Sequence, residues 1–183
     1  CIPMTLVLCT DIFDQFMENN DLYPIALSDA PDDDILQAFL KAQLPESLRS
    51  DCEIFINATE CPIAIRSSSL LEDSHYQPFA GVYSTYMIPY LDDKDKMLRL
   101  LAKAIKSVYA SVYFASSRGY ITSTSNVLSE ERMGIVLQEI CGSEDKGYFF
   151  PTMSGVARSV NFYPLGYERP EDGVVKLAYG LGK

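Results

Sequence analysis

The chain has 183 residues, of which 22% are charged, and its formal net charge is −10 at pH 7. A chain of this length forms one ordinary domain or two small lobes, and it can bury a core without disulfides or metals. The acidic balance disfavours nucleic acid as a partner, because domains that bind nucleic acid carry a basic face. The sequence has neither an apolar run of the ~20 residues that span a bilayer nor an opening signal peptide, so no membrane partner is predicted.

Helical patterns dominate the first part of the chain. An apolar run at residues 4–9 predicts a strand, and Thr10 or Asp11 can cap a helix that runs to about Asn20. A second strand is predicted at residues 62–66. Further helices are predicted to begin at the aspartates 32–34 and at Pro45-Glu46, and the longest, over about 93–117, follows an Asp92/Asp93 cap.

After Gly119 the patterns change to those of strands. Apolar runs predict three strands, at 133–140, 154–160 and 174–179, with loops at 142–152 and 161–173. Because most of the predicted helices come first along the chain and most of the predicted strands follow them, the sequence indicates an α+β fold. We divide it into a helix-rich lobe over residues 1–118 and a strand-rich lobe over residues 119–183, with a cleft between them in which a ligand site is expected.

The cysteines and the first residue bear on where the protein works. Five cysteines without a Cys-x-x-Cys pair, together with one histidine, disfavour a zinc site. Reduced thiols in a cytoplasm are the simplest interpretation, so we expect a cytoplasmic protein. The chain begins with Cys1, which we interpret as the start of a piece of a longer protein, with a processed lipoprotein as the alternative.

The stretch at residues 63–87 carries the most chemical information. An apolar strand ends in Arg66, and three serines, an acidic pair, Gly81 and Thr85 follow it. The planar guanidinium group of arginine matches two phosphate oxygens at once, and glycine lets a backbone approach a ligand closely. The pattern favours a phosphate site, although a surface salt bridge and ordinary turn or strand residues fit the same spacing.

This stretch resembles a block in the nucleotide-binding (PEP/pyruvate-binding, ATP-grasp) domain of the phosphoenolpyruvate synthase and pyruvate phosphate dikinase family. The matching residues are Arg66-Ser67-Ser68, Glu72-Asp73, Phe79-Ala80-Gly81 and Ser84-Thr85. Two later segments are also similar to the family, Ser154-Gly155-Val156-Ala157 and Tyr179-Gly180-Leu181-Gly182. The chain departs from the family at Arg158, which would add a cation to the phosphate side of the cleft or point to solvent, and at Lys183, where relatives have a glutamate.

The resemblance implies an ATP-grasp-like, two-lobed domain, of which this chain would be an incomplete piece, with ATP and Mg²⁺ as cofactors. In such a domain Arg66 would contact the nucleotide phosphates and stabilise the phosphoryl group in transfer, which is a catalytic role. Gly81 and Thr85 would touch the phosphates through the backbone and the hydroxyl group.

The resemblance also implies a role for the end of the strand at 133–140. Gln138, Glu139 and Ile140 would form a hinge segment that meets the adenine and the ribose, and an ordinary strand end is the alternative. The family's phosphate-binding lysine and its metal ligands would lie outside this chain. No metal ligand is therefore assigned within it, and the isolated chain is expected to be inactive and to bind ATP weakly or not at all.

The resemblance implies that the whole protein is an ATP-dependent phosphotransferase of the dikinase type. ATP would phosphorylate a histidine on a separate swivelling domain, which would pass the phosphoryl group to pyruvate or a similar acceptor on another domain. We interpret His75 as a loop residue and not as this carrier, because the chain lacks the Thr-x-His-like motif. The alternatives are a degenerate, non-catalytic nucleotide-binding or regulatory module, and an interaction domain in which Arg66 is buried in a salt bridge.

Overall fold

The computed structural model describes residues 2–69, 72, 83–122, 128 and 131–180. The chain divides into two compact units, Cys1–Ile140 and Cys141–Lys183. The first unit packs helices against an antiparallel sheet, and the second contains two antiparallel pairs of strands. The α+β class expected from the sequence is confirmed.

The elements follow one another in nearly the predicted order. The first unit contains β1 (Thr5–Leu8), α1 (Thr10–Asn19), α2 (Tyr23–Ala26), α3 (Asp32–Lys41), α4 (Glu46–Ala58), β2 (Ile63–Ser68), β3 (Tyr86–Ile88), α5 (Lys94–Ser111), α6 (Ala115–Thr122) and β4 (Gly134–Glu139). The second contains β5 (Ser143–Asp145), β6 (Tyr148–Phe150), β7 (Met153–Arg158) and β8 (Val174–Tyr179), with a 3₁₀ turn at Pro170–Asp172.

Acidic residues start two of the helices. Asp32, Asp33 and Asp34 occupy the first turn of α3, where negative charge is stabilised by the unpaired N–H groups of the helix end. Asp93 is the N-cap of α5, and its carboxylate accepts a hydrogen bond from the Lys96 N–H at 2.9 Å. The triple aspartate is thus part of a helix start, as its spacing predicted.

The four strands of the first unit form one sheet in the order β1-β4-β2-β3, and every pairing is antiparallel. Side chains alternate between the two faces of a strand, so Ile63 and Ile65 of β2 point into the core, where α5 packs, while Ala64 and Arg66 point the other way. The pairing of β2 with β4 sets Ile65 opposite the buried Leu137.

Aromatic rings from three helices fill the core of the helical layer. Phe13 of α1 meets Tyr109 of α5 edge to face, with ring centroids 5.0 Å apart. Phe16 packs against both Tyr109 and Phe39 of α3, at centroid distances of 5.4 and 5.9 Å. All four side chains are fully buried, so these contacts join α1, α3 and α5 into one layer.

The helix predicted over about 93–117 is two helices, α5 and α6. The chain leaves the helical path after Ser111 because side chains satisfy backbone groups there. The Ser117 hydroxyl donates to the Ser111 carbonyl at 2.6 Å, and the Asp32 carboxylate accepts from the Ala115 N–H at 2.8 Å. Both bonds replace hydrogen bonds that a continuous helix would make.

The loop predicted at 142–152 contains the hairpin of β5 and β6. Its two-residue turn consists of Lys146 and Gly147, with φ of 52° and 82°. Positive φ at both positions is the type I′ geometry that matches the twist of a hairpin. Each strand has three residues, which is too short for an alternation pattern to stand out.

The boundary between the two compact units lies between residues 140 and 141, and not between 118 and 119 as the change of pattern suggested. β4 is the reason, because it pairs with β1 on one side and with β2 on the other. It therefore belongs to the sheet of the first unit. None of the described helices is both long and apolar enough to cross a membrane.

The cap of α5 gives a first test of the fold. Asp93→Ala removes the acceptor for the Lys96 N–H and should lower the free energy of unfolding by about 1 kcal/mol. Asp92→Ala is the matched control, since Asp92 is exposed and precedes the cap. Urea unfolding followed by circular dichroism measures both variants, and an equal loss in the two would contradict the assignment of the cap.

Candidate functional site

The face of the four-stranded sheet that points away from the helices is unusual. Such a face normally carries polar side chains, because it meets water. Here Val7 and Met87 are 55% and 58% exposed, and Ala64 and Val136 are half-buried beside them. We call this surface the open face; by strand alternation it consists of Thr5, Val7, Ala64, Arg66, Ser68, Met87, Gly134, Val136 and Gln138. The open face thus carries exposed apolar side chains on its two edge strands, Val7 on β1 and Met87 on β3.

Arg66 and Gln138 are the long polar side chains of the open face. Arg66 lies opposite Val136, and Gln138 lies opposite Ala64, so the two are diagonal neighbours with side chains roughly 7–8 Å apart. Gln138 donates through Nε2 to the Thr5 hydroxyl at 3.0 Å. Arg66 is exposed and takes part in none of the salt bridges among the described residues. Its guanidinium group therefore has no acidic partner among the residues that the structure describes.

Thr85 extends this arrangement by one strand. It is exposed and lies one residue before β3, the strand that pairs with β2. The alternation of β3 assigns it to the same side as Met87, which belongs to the open face. Gly81, the other residue expected to touch the phosphates, lies outside the described residues. Three of the six expected positions therefore share one face of the sheet.

Glu139 and Ile140 are engaged elsewhere in the first unit. The Glu139 carboxylate accepts the Met4 N–H at 2.9 Å and the buried Thr59 hydroxyl at 2.6 Å. The N–H of Ile140 donates to the Pro62 carbonyl at 2.8 Å. Because side chains alternate along β4, Glu139 lies on the side of the sheet opposite to Gln138 and the open face. These two positions of the expected hinge segment therefore tie β4 to the chain segments around it.

A polar cluster that the sequence did not predict lies at the end of β2. The Ser67 hydroxyl donates to the Glu72 carboxylate at 2.8 Å. The Tyr83 hydroxyl donates to the Glu131 carboxylate at 3.1 Å, and both side chains are buried. The second pair is 48 residues apart in sequence, so no local spacing could have indicated it. The cluster fixes the chain on both sides of residues 73–82.

Burial changes the acid–base behaviour of this cluster. It raises the pKa of the Glu131 carboxyl above its ordinary value of 4.5, and the nearby charge of Glu72 raises it further. Burial also raises the pKa of the Tyr83 hydroxyl, and the charge of Glu131 acts in the same direction. Tyr83 therefore keeps its proton and remains the donor to Glu131 at physiological pH.

The described residues contain no group of three or more His, Cys, Asp or Glu side chains that could hold a metal ion. Arg158, at the end of β7, is exposed and lines a cavity of about 430 Å³ within the second unit, together with Phe162 and Lys176. Lys183 and His75 lie outside the described residues.

Comparison with known proteins identifies the family. The family model of the pyruvate phosphate dikinase AMP/ATP-binding domain matches residues 2–183. The chain belongs to this family, and the resemblance drawn from the sequence is confirmed. Among curated proteins the chain is similar to the uncharacterized phosphotransferase YvkC of Bacillus subtilis (strain 168), with 30% identity over 193 residues. This alignment covers 100% of the chain and 20% of YvkC, so the chain spans about one fifth of the length of that relative.

The contacts of Glu139 predict that it stabilises the fold. Glu139→Ala leaves the Met4 N–H and the buried Thr59 hydroxyl without an acceptor and should lower the free energy of unfolding by about 1–3 kcal/mol. Gln138→Ala is the matched control on the neighbouring position, and it should cost less than about 1 kcal/mol, because its bond to Thr5 is exposed. Urea unfolding that ranks the two variants in the reverse order would exclude this role.

The raised pKa of Glu131 predicts a pH dependence of stability. A carboxyl group whose pKa is raised by folding holds its proton more tightly in the folded state. Its stabilising contribution is therefore complete below the unfolded pKa, near 4.5, and is lost as the pH rises through the folded pKa.

Glu131→Gln tests this dependence, because glutamine still accepts from Tyr83 but does not ionise. The stability of the variant relative to the wild type should increase between about pH 4 and about pH 7. Glu144→Gln, at an exposed position of β5, should show no such trend. Thermal melts across this pH range measure the stability of both variants and of the wild type. A stability difference between Glu131→Gln and the wild type that does not change with pH would refute the prediction.

Proposed function

We propose that the chain is the ATP-binding part of a phosphotransferase of the phosphoenolpyruvate synthase and pyruvate phosphate dikinase type, with an ATP-grasp-like architecture. In the whole protein a phosphoryl group would pass from ATP to a histidine nitrogen on another domain, and from there to pyruvate or a similar acceptor. Membership of the pyruvate phosphate dikinase AMP/ATP-binding domain family supports ATP as the ligand. The exposed guanidinium of Arg66, without a salt bridge among the described residues, is the observation that carries the proposal.

Arg66 would act on the phosphates of ATP. A guanidinium group stays charged at every physiological pH and donates two parallel hydrogen bonds to neighbouring oxygens. Its place in the middle of a paired strand restricts its backbone, so it would offer a fixed positive charge to a phosphoryl group in transfer. The hydroxyl of Thr85 on the next strand would be a second donor to the same phosphates.

The apolar part of the open face would accommodate the rest of the nucleotide. Val7, Val136 and Met87 present aliphatic side chains to which a base or a sugar can pack. Gln138 adds an amide with a donor and an acceptor, the groups that can recognise the edge of a base. Its bond to Thr5 uses one of the two amide hydrogens and leaves the amide oxygen for a ligand.

Mg²⁺ bound to ATP would neutralise part of the phosphate charge. The described residues offer no cluster of carboxylates for it. Its protein ligands, like the phosphate-binding lysine of the family, are therefore proposed to come from other parts of the protein.

Two alternatives make different use of Arg66. A degenerate or regulatory module would bind the nucleotide through the same open face but transfer no phosphoryl group. An interaction domain without nucleotide would need Arg66 buried in a salt bridge, and its exposed position argues against that function.

Substitution of Arg66 in the full-length protein tests the proposal. Arg66→Gln should lower the transfer of labelled phosphate from ATP to the protein by about 10²–10³, since one fixed donor to the transferring group is lost. Lys103→Gln, which removes an exposed cation of α5, should leave the rate unchanged.

The outcomes separate the candidates. ATP binding that depends on Arg66 without any phosphoryl transfer in the wild type would point to the regulatory module. Transfer that is unaffected by Arg66→Gln would remove Arg66 from the site.

A further inference from the structure

A second candidate site lies in the helical layer. A cavity of about 490 Å³, open to solvent on one side, is lined by α4, α5, the end of α3 and the segment that follows α3. No described residue of the four-stranded sheet lines it. Its volume falls within the range of pockets that hold small molecules. The cavity is thus separate from the open face, to which the nucleotide is assigned.

The charge of the cavity is opposite to that of the chain. Lys41, Arg49, Arg99 and Lys106 line it, and Glu46 is the one acidic residue among its lining residues. The local formal charge is therefore +4 − 1 = +3, in a chain whose net charge is −10. Cations gathered around one concave surface repel one another and attract an anion from solution.

Of these four cations, Arg49 alone forms a salt bridge among the described residues. Among the salt bridges described, the bond from Arg49 Nε to Glu53 at 3.3 Å is the one that involves a cation of the cavity. Both of its side chains are exposed, so the pair contributes little and can open for a ligand. Lys106 Nζ donates to the Leu40 carbonyl at 3.3 Å, which holds this half-buried ammonium group at the cavity wall.

The floor of the cavity is apolar and neutral. Leu98 and Cys52 contribute to it, and Cys52 is only 2% exposed. Burial, with the charges of Asp51 and Glu53, raises the pKa of the Cys52 thiol to about 12. The thiol therefore adds no negative charge at physiological pH. A ligand that fills the cavity has to bring an apolar body as well as an anionic group.

The rim of the cavity is held in place before any ligand binds. The Asn20 side chain makes two hydrogen bonds to the backbone of Gln43, each 2.9 Å long. Asn20 Nδ2 donates to the Gln43 carbonyl, and the Gln43 N–H donates to Asn20 Oδ1. These bonds fix the segment after α3, which forms one side of the cavity. A preformed wall reduces the entropy that binding costs.

We propose that this cavity binds a small organic oxyanion, a phosphate or carboxylate group carried on an apolar body. Arg49 and Arg99 on neighbouring helices receive the anionic group, with Lys41 and Lys106 beside them. The apolar body lies against Leu98. The cavity shares no lining residue with the open face, so its occupant would not compete with ATP for that face.

Titration of the ¹⁵N-labelled chain with matched probes tests this site. Phenyl phosphate and benzoate carry both features, inorganic phosphate carries only the anion, and phenol carries only the apolar ring. At least one of the first two should shift the amide signals of Arg49, Cys52 and Arg99, and it should bind about tenfold more tightly than inorganic phosphate or phenol. Whether phenyl phosphate or benzoate is preferred identifies the head group.

Variants locate the binding. Arg99→Gln and Lys41→Gln lie on different helices, and each should weaken binding of the preferred probe about tenfold, since each removes a charge-assisted hydrogen bond. Lys103→Gln, on α5 but outside the cavity lining, should leave it unchanged. Arg66→Gln should also leave it unchanged, which keeps this test apart from that of the nucleotide site.

Three results would overturn the proposal. The first is equal affinity for inorganic phosphate and phenyl phosphate with no binding of benzoate. The second is undiminished affinity in both Arg99→Gln and Lys41→Gln, with melting temperatures that show both variants to be folded. The third is a set of shifted amides that lies on β2 and β4 instead of α4 and α5.

Discussion

The antiparallel pairing of β2 with β4 is the constraint on which the rest of the first unit depends. It sets Ile65 opposite Leu137 on the buried face and Arg66 opposite Val136 on the open face. Because strand side chains alternate with a period of two, a shift of one residue would turn Arg66 into the core and Ile65 into water. The burial of these aliphatic side chains thus determines where the guanidinium group points.

Two adjacent residues of β4 show how the same constraint separates the face proposed to bind the nucleotide from the contacts that stabilise the fold. Gln138 lies on the open face beside Arg66, while Glu139 turns to the other side and closes hydrogen bonds to Met4 and Thr59. The Glu139 contacts attach the start of the chain and the end of α4 to the central strand. The hydrogen bonds that stabilise this strand therefore lie on the side opposite to the face proposed to bind the nucleotide. They join residues 135 apart in sequence, for Met4, and 80 apart, for Thr59.

Local signals in the sequence predicted the elements that depend on local chemistry. The Asp93 cap and the aspartates of α3 marked helix starts, because a cap acts on N–H groups two or three residues away. The strand Val174–Tyr179 was predicted with the bounds that the structure gives it. The predicted family was right because its residues form one contiguous block around Arg66.

Long-range contacts account for what the sequence did not predict. Because β4 pairs with β1, the first compact unit extends to residue 140. No sequence pattern within residues 119–140 indicates that β1 is the pairing partner. The same holds for two hydrogen bonds, from Tyr83 to Glu131 and from Thr59 to Glu139. Each joins segments that are distant in sequence, so no local pattern predicts it. The cationic cavity was missed for the same reason, since Lys41, Arg49 and Arg99 lie on three separate segments.

Paramagnetic broadening tests most directly whether ATP meets the open face. Mn²⁺ at a trace amount with ATP in excess reports which amide signals of the ¹⁵N-labelled chain lie near the nucleotide phosphates, and it does so even when binding is weak. Broadening should begin at Arg66 and Ser68 of β2 and at Val136 of β4. Broadening centred on α4 and α5 around Arg99, or on any other surface away from the open face, would contradict the assignment of the nucleotide to this sheet.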